Sequence, residues 1–325
     1  MKIKEYYENN LLFIKVSSEK FEVTFCNLGA SIYSIKYLGK EMLMTPKDSK
    51  DYWRDDVYHG KTIGRTPCRI KGNFIEIDGK SYEILANEGE NVLHGGAEGL
   101  SKKLFDVSVK ENANNAKVVF KYASKDKEGG YPGKLNVKVT YDIPNNSPKL
   151  KVKFEARTNK PTICALTNHS YFTLGEPSVE NLALKIKGSN YLKLNEEDLT
   201  PISKEPIFKE LNFTRFKAIA KYLHSKKIEK GKSNGYDHYL FFDEPSKKPQ
   251  VFLRSENYLL KIKTDFEGVQ TYTDNYPDGI KWVNVEGKRN RSIALEPMDN
   301  YLNRAVLRPN EKYSRYIEYI FSYKE

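Results

Sequence analysis

Two segments of this chain carry side chains suited to moving protons. In Thr167-Asn168-His169-Ser170-Tyr171-Phe172 an imidazole stands between an amide and a hydroxyl. At a strand end such neighbours can hold one tautomer, as a proton donor requires. In Ile293-Ala294-Leu295-Glu296-Pro297-Met298 a lone carboxylate follows a short apolar run. Buried there it takes a raised pKa, which suits a general base near neutral pH. Each segment alone also fits a structural role: a hydrogen-bonded histidine, and a solvated glutamate on an edge strand.

Three further segments offer ligand contacts. Val92-Leu93-His94-Gly95-Gly96 places an imidazole before two glycines, which let backbone approach a bound molecule closely, although the same tripeptide serves ordinary turns. Tyr236-Asp237-His238-Tyr239 sets a carboxylate beside an imidazole; strand neighbours point to opposite sides, so only one of the two is expected to face a site. Gly64-Arg65-Thr66-Pro67-Cys68-Arg69-Ile70 supplies two guanidinium forks, which recognise carboxylates, phosphates or adjacent hydroxyls. Of the remaining histidines, His59 lies in a polar, glycine-bearing context without an assigned role, and His224 sits in the lysine-rich stretch.

The elements that must position these groups are strands. Phe21 to Phe25, Lys117 to Tyr122, Leu135 to Ile143, Leu150 to Glu155 and Tyr258 to Lys263 are period-two or β-branched and aromatic runs bounded by turn residues. Asn73 to Ile84 reads as a hairpin around Asp78-Gly79, a pair that accepts the positive φ angles of a tight turn. A second glycine-rich turn spans Gly129 to Gly133. Thr214 to Leu223 is the one stretch expected to form a short helix. Many strands and almost no helix, with no repeat or low-complexity linker, imply an all-β chain folded as a large antiparallel β-sandwich, a single domain over residues 1–325.

Composition removes several function classes. Apolar residues make up 39% and charged residues 30% of the chain, enough for a sizeable core. The 23 Tyr, 16 Phe and 2 Trp favour strands, and such rings also cover the apolar faces of sugars. No apolar run is long enough to span a membrane, and the charged start does not read as a signal peptide. Cys26, Cys68 and Cys164 are far apart and odd in number, which suits reduced thiols in the cytoplasm and gives no zinc spacing. The formal net charge of +11 raises the question of nucleic acid or an anionic substrate. No binding motif accompanies it, and the densest basic stretch, 221–232, beside Ser and Gly, reads as a solvated loop or a short helix end. No dinucleotide fingerprint, Walker loop, HExxH or GxSxG is present. Neither a metal nor a cofactor is expected. The sequence sets no oligomeric state.

Taken in order and spacing from about Phe25 to Glu318, the segments GRTPCRI, GNFIEIDGKSYEI, NVLHGG, LTNHSYFTL, GVQTYTDN and ALEP resemble the aldose 1-epimerase (galactose mutarotase) family. The resemblance implies a β-sandwich with a cleft across one face and a small-molecule sugar as substrate. It implies His169 as general acid and Glu296 as general base, with Arg69, His94, Asp237 and Gln270 holding the sugar. Two departures stand out: Cys68 replaces the family's usual Asn, and Pro297-Met298 follows Glu296 where Gln is usual. Both lie where substrate would be contacted, so the preferred aldose is open. An epimerase of a phosphorylated sugar and a non-catalytic sugar-binding protein are the alternative readings.

Overall fold

The computed structural model describes residues 1–54, 56–229, 234–244, 247–276, 278–285, 289–302 and 304–324. Three main antiparallel sheets dominate the described residues. The first has five strands, in chain order from Lys2–Glu8 to Lys40–Glu41. The largest has nine: Asp106–Glu111, Asn115–Ser124, Leu135–Pro144 and Lys149–Thr158 run side by side. The long strand Tyr313–Tyr323 follows them and pairs in turn with Tyr258–Thr264. The third sheet has six strands in the order Tyr171–Phe172, Ile293–Met298, Gly268–Tyr272, Asp237–Phe241, Asn190–Leu194 and Pro201–Pro206.

Alternation explains why these segments are strands. In Leu135–Pro144 the residues Leu135, Val137, Val139, Tyr141 and Ile143 are buried, while the residues between them are at least partly exposed. The same beat in Lys149–Thr158 buries Leu150, Val152, Phe154 and Ala156. These side chains join Phe25, Phe120, Leu240, Val269, Leu295 and Tyr319 in the largest apolar cluster, which draws on all three sheets. The expected hairpin forms from Phe74–Ile77 and Lys80–Glu83, with Asp78 and Gly79 at φ +51° and +74°.

The helix expected over Thr214 to Leu223 does not form. Lys217–Ala218 instead pairs with Ala183–Leu184 as the edge of the nine-stranded sheet, and only Ile219–Lys221 winds into a 3-10 turn. Sheet pairing, together with burial of Ile219 and Leu223 in the core, overrides the weak helical pattern. In the basic stretch, Lys227 lies against Phe208 and Glu210, while Lys230 and Lys232 fall outside the described residues. No described helix is long and apolar enough to cross a membrane.

Candidate active site

The six-stranded sheet sets the site through its register. Glu296 lies directly opposite Gln270, Gln270 opposite Tyr239 on its other side, and Asp237 opposite Tyr272. Register partners share a face, so these five side chains emerge together. Leu295, Val269 and Leu240 turn the other way into the main core. Asp237 therefore faces the site. His238, its neighbour, points to the other side, where its ring meets Tyr191 and Phe208.

His169 reaches the same face from another segment. Thr167 and Asn168 pair with Ile63 and Thr62. The His169 amide then donates to the Lys61 carbonyl at 3.0 Å, and the Gly60 amide donates to the His169 carbonyl at 2.9 Å. Gly60 sits at φ +70° against the Ile32 carbonyl, so a side chain there would collide with backbone. With its main chain held on both sides, His169 places Nε2 3.4 Å from Glu296 Oε1. Both side chains are almost completely buried.

The expectation that Asn168 and Ser170 set the imidazole tautomer fails. Those two side chains bond to each other, Asn168 also donates to the Gly60 carbonyl, and His169 Nδ1 has no partner. Residues on either side of His169 in extended backbone point away from it, which is why they cannot reach its ring. Burial pushes the His169 imidazole down to about 3. Burial, and then the Asp237 charge, pushes the Glu296 carboxyl well above its ordinary range.

A cavity of about 270 Å³ opens over the pair. Its lining brings together His169, Glu296, Arg69, His94, Asp237 and Gln270. Gln270 Nε2 donates to Asp237 Oδ1 at 2.6 Å. Arg69 is gripped by Glu88, through Nε at 2.6 Å and Nη2 at 2.8 Å, so the guanidinium is fixed before any ligand arrives. His94 Nδ1 accepts from the Cys68 amide at 3.3 Å. Burial first, and then His169 and Arg69, hold the His94 pKa well below normal, so the ring is neutral. A neutral ring accepting at Nδ1 carries its proton on Nε2 and can donate it to a ligand. The following Gly95, at φ +92°, passes against the Gly64 carbonyl where no side chain would fit. Arg65, the other fork of that segment, is buried elsewhere, donating to Ser124 Oγ and the Pro132 carbonyl.

The comparisons with known proteins agree with this architecture. The family model described as aldose 1-epimerase matches residues 13–319. The chain belongs to the aldose 1-epimerase family. It is accordingly an isomerase. A galactose mutarotase of Sus scrofa is 28% identical over 95% of this chain and 93% of its own length. An aldose 1-epimerase of Escherichia coli (strain K12) is 27% identical over 92% of this chain and 91% of its own. Among solved structures, a galactose 1-epimerase from Lactobacillus acidophilus NCFM superposes with a TM-score of 0.88 at 24% identity, over 100% of this chain and 99% of that one, which shows a shared fold.

In this member of the aldose 1-epimerase family the departures noted in the sequence meet in space. Cys68 Sγ lies 3.7 Å from Met298 Sδ, in a buried cluster with Leu192, Tyr239, Phe241 and Tyr301. Cys68 and Tyr301 both line the cavity, giving it an apolar, sulfur-bearing wall. Other lining residues were assigned no role from the sequence. Tyr58 sits 4.8 Å from His94 and Tyr171 4.8 Å from His169, as ring centroids. His59 stacks on Tyr171 at 4.1 Å and approaches Asp274 and Asp278 from across the cavity wall. Arg291 bonds both of those carboxylates, at 2.6 Å and 2.7 Å. His59 and the two acids are spaced as metal ligands can be, and the Arg291 guanidinium already engages both acids.

Proposed function

We propose that this isomerase interconverts the α and β anomers of a free aldose by acid–base ring opening. The observation that carries the reading is the 3.4 Å approach of His169 Nε2 to Glu296 Oε1 inside one cavity, from segments far apart in the chain. Glu296 takes the proton of the C1 hydroxyl while His169 gives one to the ring oxygen. The C1–O5 bond breaks as the C1=O1 bond forms, and rotation about C1–C2 presents the other face. The reverse transfers close the ring and return each group to its starting state. Protons are exchanged but none is consumed, and each group is expected to contribute roughly 10²–10⁴-fold. His94 and Arg69 supply donors for sugar oxygens, while Asp237 and Gln270 accept and donate to a second pair of hydroxyls.

The lining also bears on the alternatives. Arg69 is the one Lys or Arg among the described lining residues, and Glu88 already holds it. Asp56, Glu88, Asp237, Asp274, Asp278 and Glu296 line the same space, an arrangement that disfavours a phosphorylated sugar despite the net charge of +11. A binding protein would have no use for an acid and a base aimed at one another. Cys68, backed by the buried Met298, removes a polar partner beside Arg69, so the best aldose is expected to differ from galactose in the hydroxyl that faces it.

Polarimetry on freshly dissolved α-anomers of several aldoses tests the reading. At least one should equilibrate faster with the protein, with or without EDTA. Glu296→Gln and His169→Asn should each lower kcat by roughly 10²–10⁴-fold with little change in sugar binding. Full turnover in both variants would refute the assignment.

A further inference from the structure

Buried polar atoms without partners mark where a ligand belongs, because leaving a donor or acceptor dry is costly. In the catalytic cavity such atoms are His169 Nδ1, Gln270 Oε1 and Glu296 Oε2, all on residues proposed above to meet the sugar. His59 carries the same signature more strongly. Both of its ring nitrogens are buried and unpartnered, although the ring lines the cavity and is packed between Tyr171 and Trp282, with centroids 4.1 Å and 4.3 Å away. Packing explains the ring's position. It does not explain why the ring bears nitrogen.

We infer that His59, together with the Asp274–Asp278 pair, forms a further sugar-binding pole that holds one substrate hydroxyl. This rests on the mutarotase reading for the identity of the ligand. The three groups offer ligand atoms within 4.8 Å of one another. Atoms no farther apart than this are within hydrogen-bond reach, about 2.8 Å, of one common oxygen. A hydroxyl has the right valence: it accepts from the His59 N–H and gives its own hydrogen to a carboxylate. A cation matches less well, since the Arg291 guanidinium already holds Asp274 at 2.6 Å and Asp278 at 2.7 Å. The ring is neutral and so keeps one donor and one acceptor: burial first, then His169, Arg291 and Lys61, hold its pKa well below normal. The position is distinct from the other binding residues. A row of rings runs from His94 to His169 to Tyr171 to His59, at successive centroid distances of 5.1, 4.8 and 4.1 Å: His94 meets the acid directly, and His59 is linked to it through Tyr171.

The test is a double-mutant cycle between protein and sugar. An aldose that the wild type turns over, and its four singly deoxygenated ring and side-arm analogues, are compared on wild type and His59→Phe, which keeps the stacked ring and removes both nitrogens. On the parent sugar the substitution should raise KM by about tenfold and leave kcat within about twofold. On one analogue, the one lacking the held hydroxyl, it should cost nothing more. An unchanged circular dichroism spectrum and thermal midpoint show that the variant is folded; His59→Gln, which restores a donor and an acceptor, should recover part of the KM. Equal losses on every analogue, or no loss on the parent, would overturn the inference. So would stimulation by added Zn²⁺ that vanishes in His59→Phe. If the wild type binds aldoses yet turns none over, the mutarotase reading falls, and the same cycle read as Kd still decides the role of His59.

Discussion

Glu296 and His169 are driven toward their uncharged forms by the same burial, one carboxyl upward and one imidazole downward. Facing each other at 3.4 Å, they are coupled, and the proposed ring opening requires one proton shared between them. The pair takes a second proton only as pH falls toward the lowered His169 value of about 3, and loses its one proton only as pH rises through the raised Glu296 value. A plot of kcat/KM against pH should therefore have its acid limb below the ordinary histidine range and its alkaline limb above the ordinary carboxylate range. Glu296→Gln should remove the alkaline limb. Activity that instead falls steadily between pH 7 and pH 5 would contradict the shared-proton picture. Both residues were legible in the sequence because each sits in a short, distinctive run. The control of the imidazole was not: Asn168 and Ser170 are adjacent in sequence but point away in extended backbone, and bond to each other. His59 was illegible for a different reason. Nothing in Val57-Tyr58-His59-Gly60 announces Asp274, Asp278 and Arg291, which only the fold brings to it.

At the level of strands, the sequence announced most of the architecture because the alternation is strong, and it erred where pairing outweighs local preference, at Lys217–Ala218. It gave no sign of the polar links across strands. Glu155, on Lys149–Thr158, receives Lys138 at 2.9 Å and Lys153 at 3.2 Å, and Lys312 also contacts it. Burial alone would raise its pKa, but the three ammonium groups outweigh burial and bring it down to about 2. A depressed carboxylate contributes stability that is present above the unfolded value near 4.3 and is lost as pH falls through about 2. Glu155→Gln should accordingly lower stability by about 1 kcal/mol at pH 7, the lysines being half in water, and by progressively less below pH 4. Urea titrations of both proteins at several pH values measure this; a constant difference down to pH 2 would point to packing and not charge.

Across the whole molecule the +11 charge is dispersed, and the described cavity collects acids instead of lysines. Duplex DNA should be retained weakly in 20 mM salt and released by about 150 mM, as expected for non-specific contacts screened over a Debye length of about 8 Å. Salt-resistant retention would reveal a basic face that the sequence did not announce. The chain's organisation has one more consequence, and it concerns folding. Gln270 and Glu296 are opposite partners in a ladder, and their other companions arrive from residues 69, 94, 169 and 237. A slip of one residue between Gly268–Tyr272 and Ile293–Met298 would turn Gln270 or Glu296 into the core and a leucine or valine toward the sugar. No local segment can therefore assemble the proposed catalyst: full activity requires these distant pieces of chain to be in correct alignment, so recovery of activity during refolding reports long-range pairing and not local structure.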